Sequence, residues 1–117
     1  MLFLEYPPCT TCKKAKKWLD THNVSYTARH IKEENPSYEE LAAWLNMSGL
    51  PVKKFFNTSG LLYKSMELKD KLPGMTVEEQ LRLLASDGML VKRPIVVTDN
   101  GTVLVGFQEE KWQEALL

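Results

Sequence analysis

The sequence predicts a mixed α/β domain, strand–helix–strand at its start and strand–strand–helix at its end, around a helical block at about residues 36–88. Three patterns carry this reading. An apolar run closed by Pro7-Pro8 leads into a helical stripe and then an alternating stretch within about thirty residues. Two Ser/Thr-x-x-Glu boxes, Ser37 to Glu40 and Thr76 to Glu79, each open an amphipathic segment. Near the end, Pro94–Thr98 and Thr102–Val105 flank Asn100-Gly101, the residue pair that a type I′ hairpin turn favours.

Leu2, Phe3, Leu4 and Tyr6 fit a buried strand that stops at prolines lacking an N–H donor. From Thr10 to about His22, Cys12, Ala15, Trp18, Leu19 and His22 recur at three and four, the spacing of one helix face, with Asn23 as a stop. Val24–Ile31 has the β-branched and aromatic content of a second strand. A strand–helix–strand unit of this length closes by a crossover, so the two strands should be parallel.

Ser37 opens a helix carrying Leu41, Trp44, Leu45 and Ser48 on one face until Gly49. The next stretch is less regular. Pro51 to Phe55-Phe56 fits a short helix, Asn57–Gly60 a turn, and Leu61, Leu62 and Met66 another short helix before Leu72-Pro73-Gly74. Thr76 then opens a helix with Val77, Leu81, Leu84 and Ala85 inward, up to Asp87-Gly88. Trp112 and Leu116, four apart, suggest a closing helix, and the Trp and Phe side chains read as core.

A chain of 117 residues holds one core, here one domain over residues 1–117. With 15 basic against 15 acidic residues, bulk charge gives no reason to expect direct nucleic-acid binding, which needs a concentrated basic face. The N-terminus lacks a basic, long apolar leader, and no run is long enough to span a membrane, so a cytoplasmic protein without membrane contact is expected. There a lone Cys-x-x-Cys is more often redox-active or a metal half-site than a permanent staple.

Cys9-Thr10-Thr11-Cys12 holds both cysteines of the chain. With Cys9 last before a helix and Cys12 one turn in, their Cα atoms fall within roughly 5 to 6 Å, which a disulfide can bridge. The free N–H groups of the helix start favour a thiolate at Cys9, making it the nucleophile and Cys12 the resolving thiol. A pair of ordinary buried thiols is the bland alternative. Zinc would need further ligands, and His22 and His30 stand at spacings unlike a zinc module; no metal is expected. Thr10 and Thr11 either donate to the Cys9 sulfur or a bound anion, or are only small polar residues at a helix start. Lys13, Lys14, Lys16 and Lys17 either lower the Cys9 pKa or form a solvated face.

Four ordered stretches carry a resemblance: Tyr6–Ala15 around the two cysteines, Phe55-Phe56-Asn57-Thr58-Ser59-Gly60, Lys92-Arg93-Pro94-Ile95-Val96-Val97, and Val105-Gly106-Phe107. Through them the chain resembles the arsenate reductase (ArsC) and Spx family, which has a thioredoxin-like fold, and most of all its Spx-like or uncharacterised Cys-x-x-Cys branch. The resemblance implies that Cys9 is the reactive cysteine, that Arg93 faces it, and that the bond before Pro94 is cis. Thr10, Thr11, Asn57 and Pro94 become candidate substrate-binding residues, Asn57 alternatively serving only its turn. Arsenate reductases of the family gather three arginines around the oxyanion, and two of those positions here are Asn57 and Gly106. Two missing charge-assisted partners, each worth on the order of 1.5 to 3 kcal/mol, leave arsenate reduction unexpected. The expected function is thiol–disulfide exchange by a Cys9–Cys12 dithiol, without a bound cofactor, reset by glutathione or a thioredoxin- or glutaredoxin-type protein. The alternative is an Spx-like redox-sensing transcriptional regulator that binds the RNA polymerase alpha subunit.

Overall fold

The N-terminal apolar run forms β1 (Leu2–Glu5), and Cys9 starts α1 (Thr10–Thr21) in extended conformation, as a residue before a helix must. The computed structural model describes residues 1–117. Asn23 ends α1 with a left-handed φ of 54°, which lets Val24 N–H reach Leu19 C=O at 3.0 Å. That bond keeps Val24 with the helix end, so β2 (Thr27–His30) is shorter than the alternating pattern of 24–31 suggests. It runs parallel to β1.

The helical block comprises α2 (Tyr38–Ser48), a 3-10 turn (Val52–Phe55), α3 (Leu61–Ser65), α4 (Leu68–Lys71), a second 3-10 turn (Leu72–Gly74), α5 (Val77–Ser86) and a third 3-10 turn (Gly88–Leu90). Both capping boxes form, Ser37 with Glu40 and Thr76 with Glu79. Glu67, at φ 54°, separates α3 from α4, which the sequence pattern did not resolve.

Chain return gives β3 (Ile95–Val97), β4 (Val103–Val105) and α6 (Glu109–Leu116), completing an antiparallel hairpin and a sheet of order β2-β1-β3-β4. The hairpin turn differs from the type I′ expectation. Only Gly101 has positive φ (88°), Gly101 N–H donates to Thr98 C=O at 3.2 Å, and Thr98 N–H to Thr102 C=O at 2.9 Å. This is a three-residue loop with glycine in the left-handed position.

Strand alternation divides the core in two. Leu4, Ile95 and Val103 pack with Leu41, Trp44, Phe55, Leu81 and Leu84 of the helical block. Phe3 and Val96 face the other way, onto Ala15, Trp18 and Leu19 of α1 and Trp112 of α6. The helical block thus covers one sheet face while α1 and α6 cover the other, the layering of the thioredoxin-like fold.

Glu40 joins β2 to α2. Its carboxylate accepts from both terminal nitrogens of Arg29, at 2.7 and 2.9 Å, and from the N–H of Ser37 at 3.0 Å. The guanidinium first, and the Ser37 N–H with it, hold the carboxyl down to about 2. Because the folded value lies below the unfolded one, the stabilisation is complete above the ordinary carboxylate range and lost as pH falls toward about 2. Glu40→Ala should therefore cost roughly 1 to 2 kcal/mol near neutrality, measured by urea unfolding, and progressively less below pH 4.

Candidate functional site

Cys9 and Cys12 are both free thiols, placed unequally. Cys9 is half-buried at the N-terminus of α1, whereas Cys12, one turn in, is 0 % exposed. Tyr6 anchors both: its C=O accepts the Cys9 N–H at 2.8 Å, and its N–H points at the Cys12 sulfur at 3.5 Å.

Burial pushes the Cys9 thiol upward, but hydrogen bonds to its sulfur outweigh that. The N–H and thiol of Cys12, the N–H of Thr11 and the Arg93 guanidinium together hold Cys9 below its ordinary value. Burial raises Cys12 in the same way, the Tyr6 N–H only partly opposes it, and the neighbouring Cys9 adds to it, so Cys12 is pushed up to about 12. Four of the sequence-derived groups, Cys9, Thr11, Cys12 and Arg93, thus meet at one sulfur.

Arg93 precedes Pro94 through a cis peptide bond at the start of β3. Its guanidinium carbon lies 5.1 Å from the centroid of the Tyr6 ring, a cation–π contact, and Nη1 reaches Met89 C=O only at 3.5 Å. Its Nε is buried without a partner. The terminal nitrogens, engaged within the fold only by that long bond and by the Cys9 sulfur, keep donors for an oxyanion or carboxylate beside Cys9.

The remaining candidates are not among the groups that bond the Cys9 sulfur. Thr10 is exposed at the helix start. Asn57 Oδ1 accepts from Ser59 at 3.4 Å, and its C=O accepts the Gly60 N–H at 3.1 Å, so it organises its own turn. Lys13, Lys14 and Lys17 face solvent, and Lys16 pairs with the buried Glu5 at 3.3 Å. His22 lies against Trp18 and His30 bonds the N–H groups of Lys32 and Glu33, structural duties for both. No three His, Cys, Asp or Glu side chains cluster as metal ligands, and no helix is long and apolar enough to cross a membrane.

Sequence reasoning placed Tyr6 at the end of the first strand and at the head of the cysteine stretch but gave it no role at the site. Its position directly before Pro7-Pro8-Cys9 was the available signal.

The profile of the ArsC family matches residues 4–115. The chain belongs to the ArsC family. It is 54 % identical to YusI of Bacillus subtilis, an uncharacterised protein, over 97 % of this chain and 96 % of that one. It is 30 % identical to the global transcriptional regulator Spx of Staphylococcus aureus, over 90 % of this chain and 78 % of Spx. Among solved structures, an ArsC family related protein from Bacteroides fragilis is 61 % identical and superposes with a TM-score of 0.94, covering 97 % of this chain and 94 % of that one. An arsenate reductase from Vibrio cholerae is 26 % identical with a TM-score of 0.83, covering 100 % of this chain and 98 % of the other.

Within this ArsC-family site a single arginine stands beside the cysteines. Arg29 is held by Glu40, and Arg82 lies between Glu78 and the ring of Tyr38. Gly106 has a left-handed φ of 76°, its N–H donates to Pro94 C=O at 2.8 Å, and a Cβ there would stand 3.3 Å from Lys92 Cε. An arginine at position 106 would be strained on this backbone.

Proposed function

We propose that this protein is a thiol–disulfide oxidoreductase in which Cys9 attacks and Cys12 resolves. The inequality of the two thiols carries the reading: one lowered and accessible, the other raised and hidden, within hydrogen-bonding reach of each other. The Cys9 thiolate attacks one sulfur of a disulfide substrate, forming a mixed disulfide and expelling the other sulfur as a thiolate. Arg93 holds an acidic group of the substrate beside the reacting sulfur. Cys12 then loses its proton to solvent and attacks the Cys9 sulfur, so that the Cys9–Cys12 disulfide forms and the second substrate thiolate leaves. The substrate gains two electrons and the protein loses two. Glutathione or a thioredoxin- or glutaredoxin-type protein of the cytoplasm returns them.

Treatment with bis(2-hydroxyethyl) disulfide, read by intact mass, tests this. Wild type should end as the internal disulfide with no adduct. Cys12→Ser should accumulate one mercaptoethanol adduct per chain on Cys9, and Cys9→Ser should stay largely unmodified because Cys12 is buried. A Cys9→Ser chain modified as fast as Cys12→Ser would sink the assignment of roles.

The likeness to Spx supports a second reading, in which the same disulfide switches binding to the RNA polymerase alpha subunit. Polymerase retained from lysate by only one redox state of the protein would favour it.

A further inference from the structure

A groove of about 620 Å³ runs along the outer edge of β4, with neither cysteine in its lining. Its size lies within the range of about 300 to 1,000 Å³ of ligand sites. Val103 to Gly106 form one wall, Leu50 and Phe56 contribute apolar surface, and Lys53, Lys54, Lys92 and Lys111 surround it. No carboxylate lines it, and none of the four lysines is in an ion pair. In a chain with as many acidic as basic residues this is a local concentration of positive charge.

The backbone of β4 is also incomplete. β3 and β4 are antiparallel, with Val96 opposite Leu104, and the flanking bonds Thr98 N–H to Thr102 C=O and Gly106 N–H to Pro94 C=O set which residues face inward. Alternation then turns the N–H and C=O groups of Val103 and Val105 outward, toward the groove. β4 is an edge strand, and those groups bond to nothing else in the fold.

We propose that this groove docks an extended acidic segment of a partner protein, which adds to β4 as a fifth strand. Main-chain bonds to Val103 and Val105 supply the pairing, and the surrounding lysines select the charge. The lysines stand on both sheet faces. Lys53 and Lys54 come from the helical block, Lys111 comes from α6, and the Lys92 stem closes the Gly106 end. A strand alternates its side chains between faces, so acidic residues on either face of the incoming segment meet an ammonium group. Lysines flanking an edge deter neutral or basic strands, and the same charges fit an acidic one. A free anion would satisfy the lysines and leave the strand edge unpaired.

The probe is a capped octapeptide of alternating Glu and Val, titrated into the full-length protein and followed by amide NMR. Shifts should centre on Val103, Val105 and Gly106, with slowed hydrogen exchange at Val103 and Val105. Lys53→Glu with Lys54→Glu should weaken binding by about tenfold or more without changing the melting temperature, and added salt should weaken it too. A Lys-Val octapeptide should not bind. Backbone N-methylation of the Glu-Val peptide should abolish binding; equal binding would reduce the groove to an anion site and overturn strand addition. Shifts centred elsewhere, or none at millimolar peptide, would overturn the docking surface. Cys9→Ser should bind the peptide as wild type does, which separates this outcome from that of the redox chemistry.

Discussion

With Cys9 already joined to a small thiol, attack by Cys12 is expected to quicken about tenfold for each pH unit between roughly pH 6.5 and 9, because only the thiolate is a nucleophile. The Cys12 thiol is pushed up to about 12, first by burial and secondarily by the neighbouring Cys9. Formation of the mixed disulfide removes the charge on Cys9 but leaves the burial, the first cause of the raised value, so Cys12 stays above an ordinary thiol. Near neutrality only a small fraction of chains holds the Cys12 thiolate, and that fraction rises in proportion to hydroxide. Cys9 behaves oppositely: its lowered value means that the first step levels off at a lower pH than for an ordinary thiol. Ellman's disulfide separates the two steps, since Cys9 releases the first nitrothiobenzoate and Cys12 the second. A rapid first phase that levels off early and a slow second phase of unit slope in log rate against pH are expected. A second phase that bends to a plateau by about pH 8.5 would show an ordinary Cys12, and the division of labour between the two thiols would fail.

Much of the fold was legible because its signals are local. Ser37 and Glu40, or Thr76 and Glu79, cap a helix through atoms three residues apart, and both boxes form. Leu2–Leu4 and Ile95–Val97 alternate in the register that places Leu4 and Ile95 on one sheet face and Phe3 and Val96 on the other. The misread features depend on one backbone angle or a distant partner. Val24 closes the preceding helix instead of starting β2, and Glu67 breaks a helix at an angle that its side chain does not announce. At the site, the motif likeness brought Arg93 to Cys9 across the sheet. Tyr6 stayed hidden because it acts through its N–H, its C=O and a ring that becomes a platform only when Arg93 folds over it. The lysine groove was equally invisible, since residues 53, 54, 92 and 111 meet only after the helical block, β4 and α6 converge.

Gly88→Ala is expected to destabilise the protein by about 3 kcal/mol, a fall in melting temperature on the order of 10 °C. Gly88 opens the 3-10 turn after α5, where its Cα lies directly against the end of β2. A Cβ there would stand 1.8 Å from the carbonyl oxygen of Ile31 and 2.8 Å from its carbon. Both are backbone atoms, so no side-chain rotation relieves the clash. The Ile31 peptide cannot withdraw freely, because its N–H donates to Glu5 C=O at 2.9 Å and its side chain is fully buried. Either Gly88 or Ile31 must move. Moving Gly88 drags the turn that presents Met89 C=O to Arg93, and with it the Leu90 C=O that accepts the Asn57 N–H at 2.8 Å. The damage therefore extends to the wall facing Cys9: the variant should hold Arg93 less firmly and show a raised Cys9 pKa in the first phase of the Ellman reaction. Gly74→Ala is the control. No atom lies within 4 Å of a Cβ at position 74, so that variant should match or slightly exceed wild type, by no more than about 1 kcal/mol. Equal melting temperatures for the Gly88 and Gly74 variants would mean that β2 and the turn can part without cost, contrary to the close packing of the Ile31 carbonyl on Gly88.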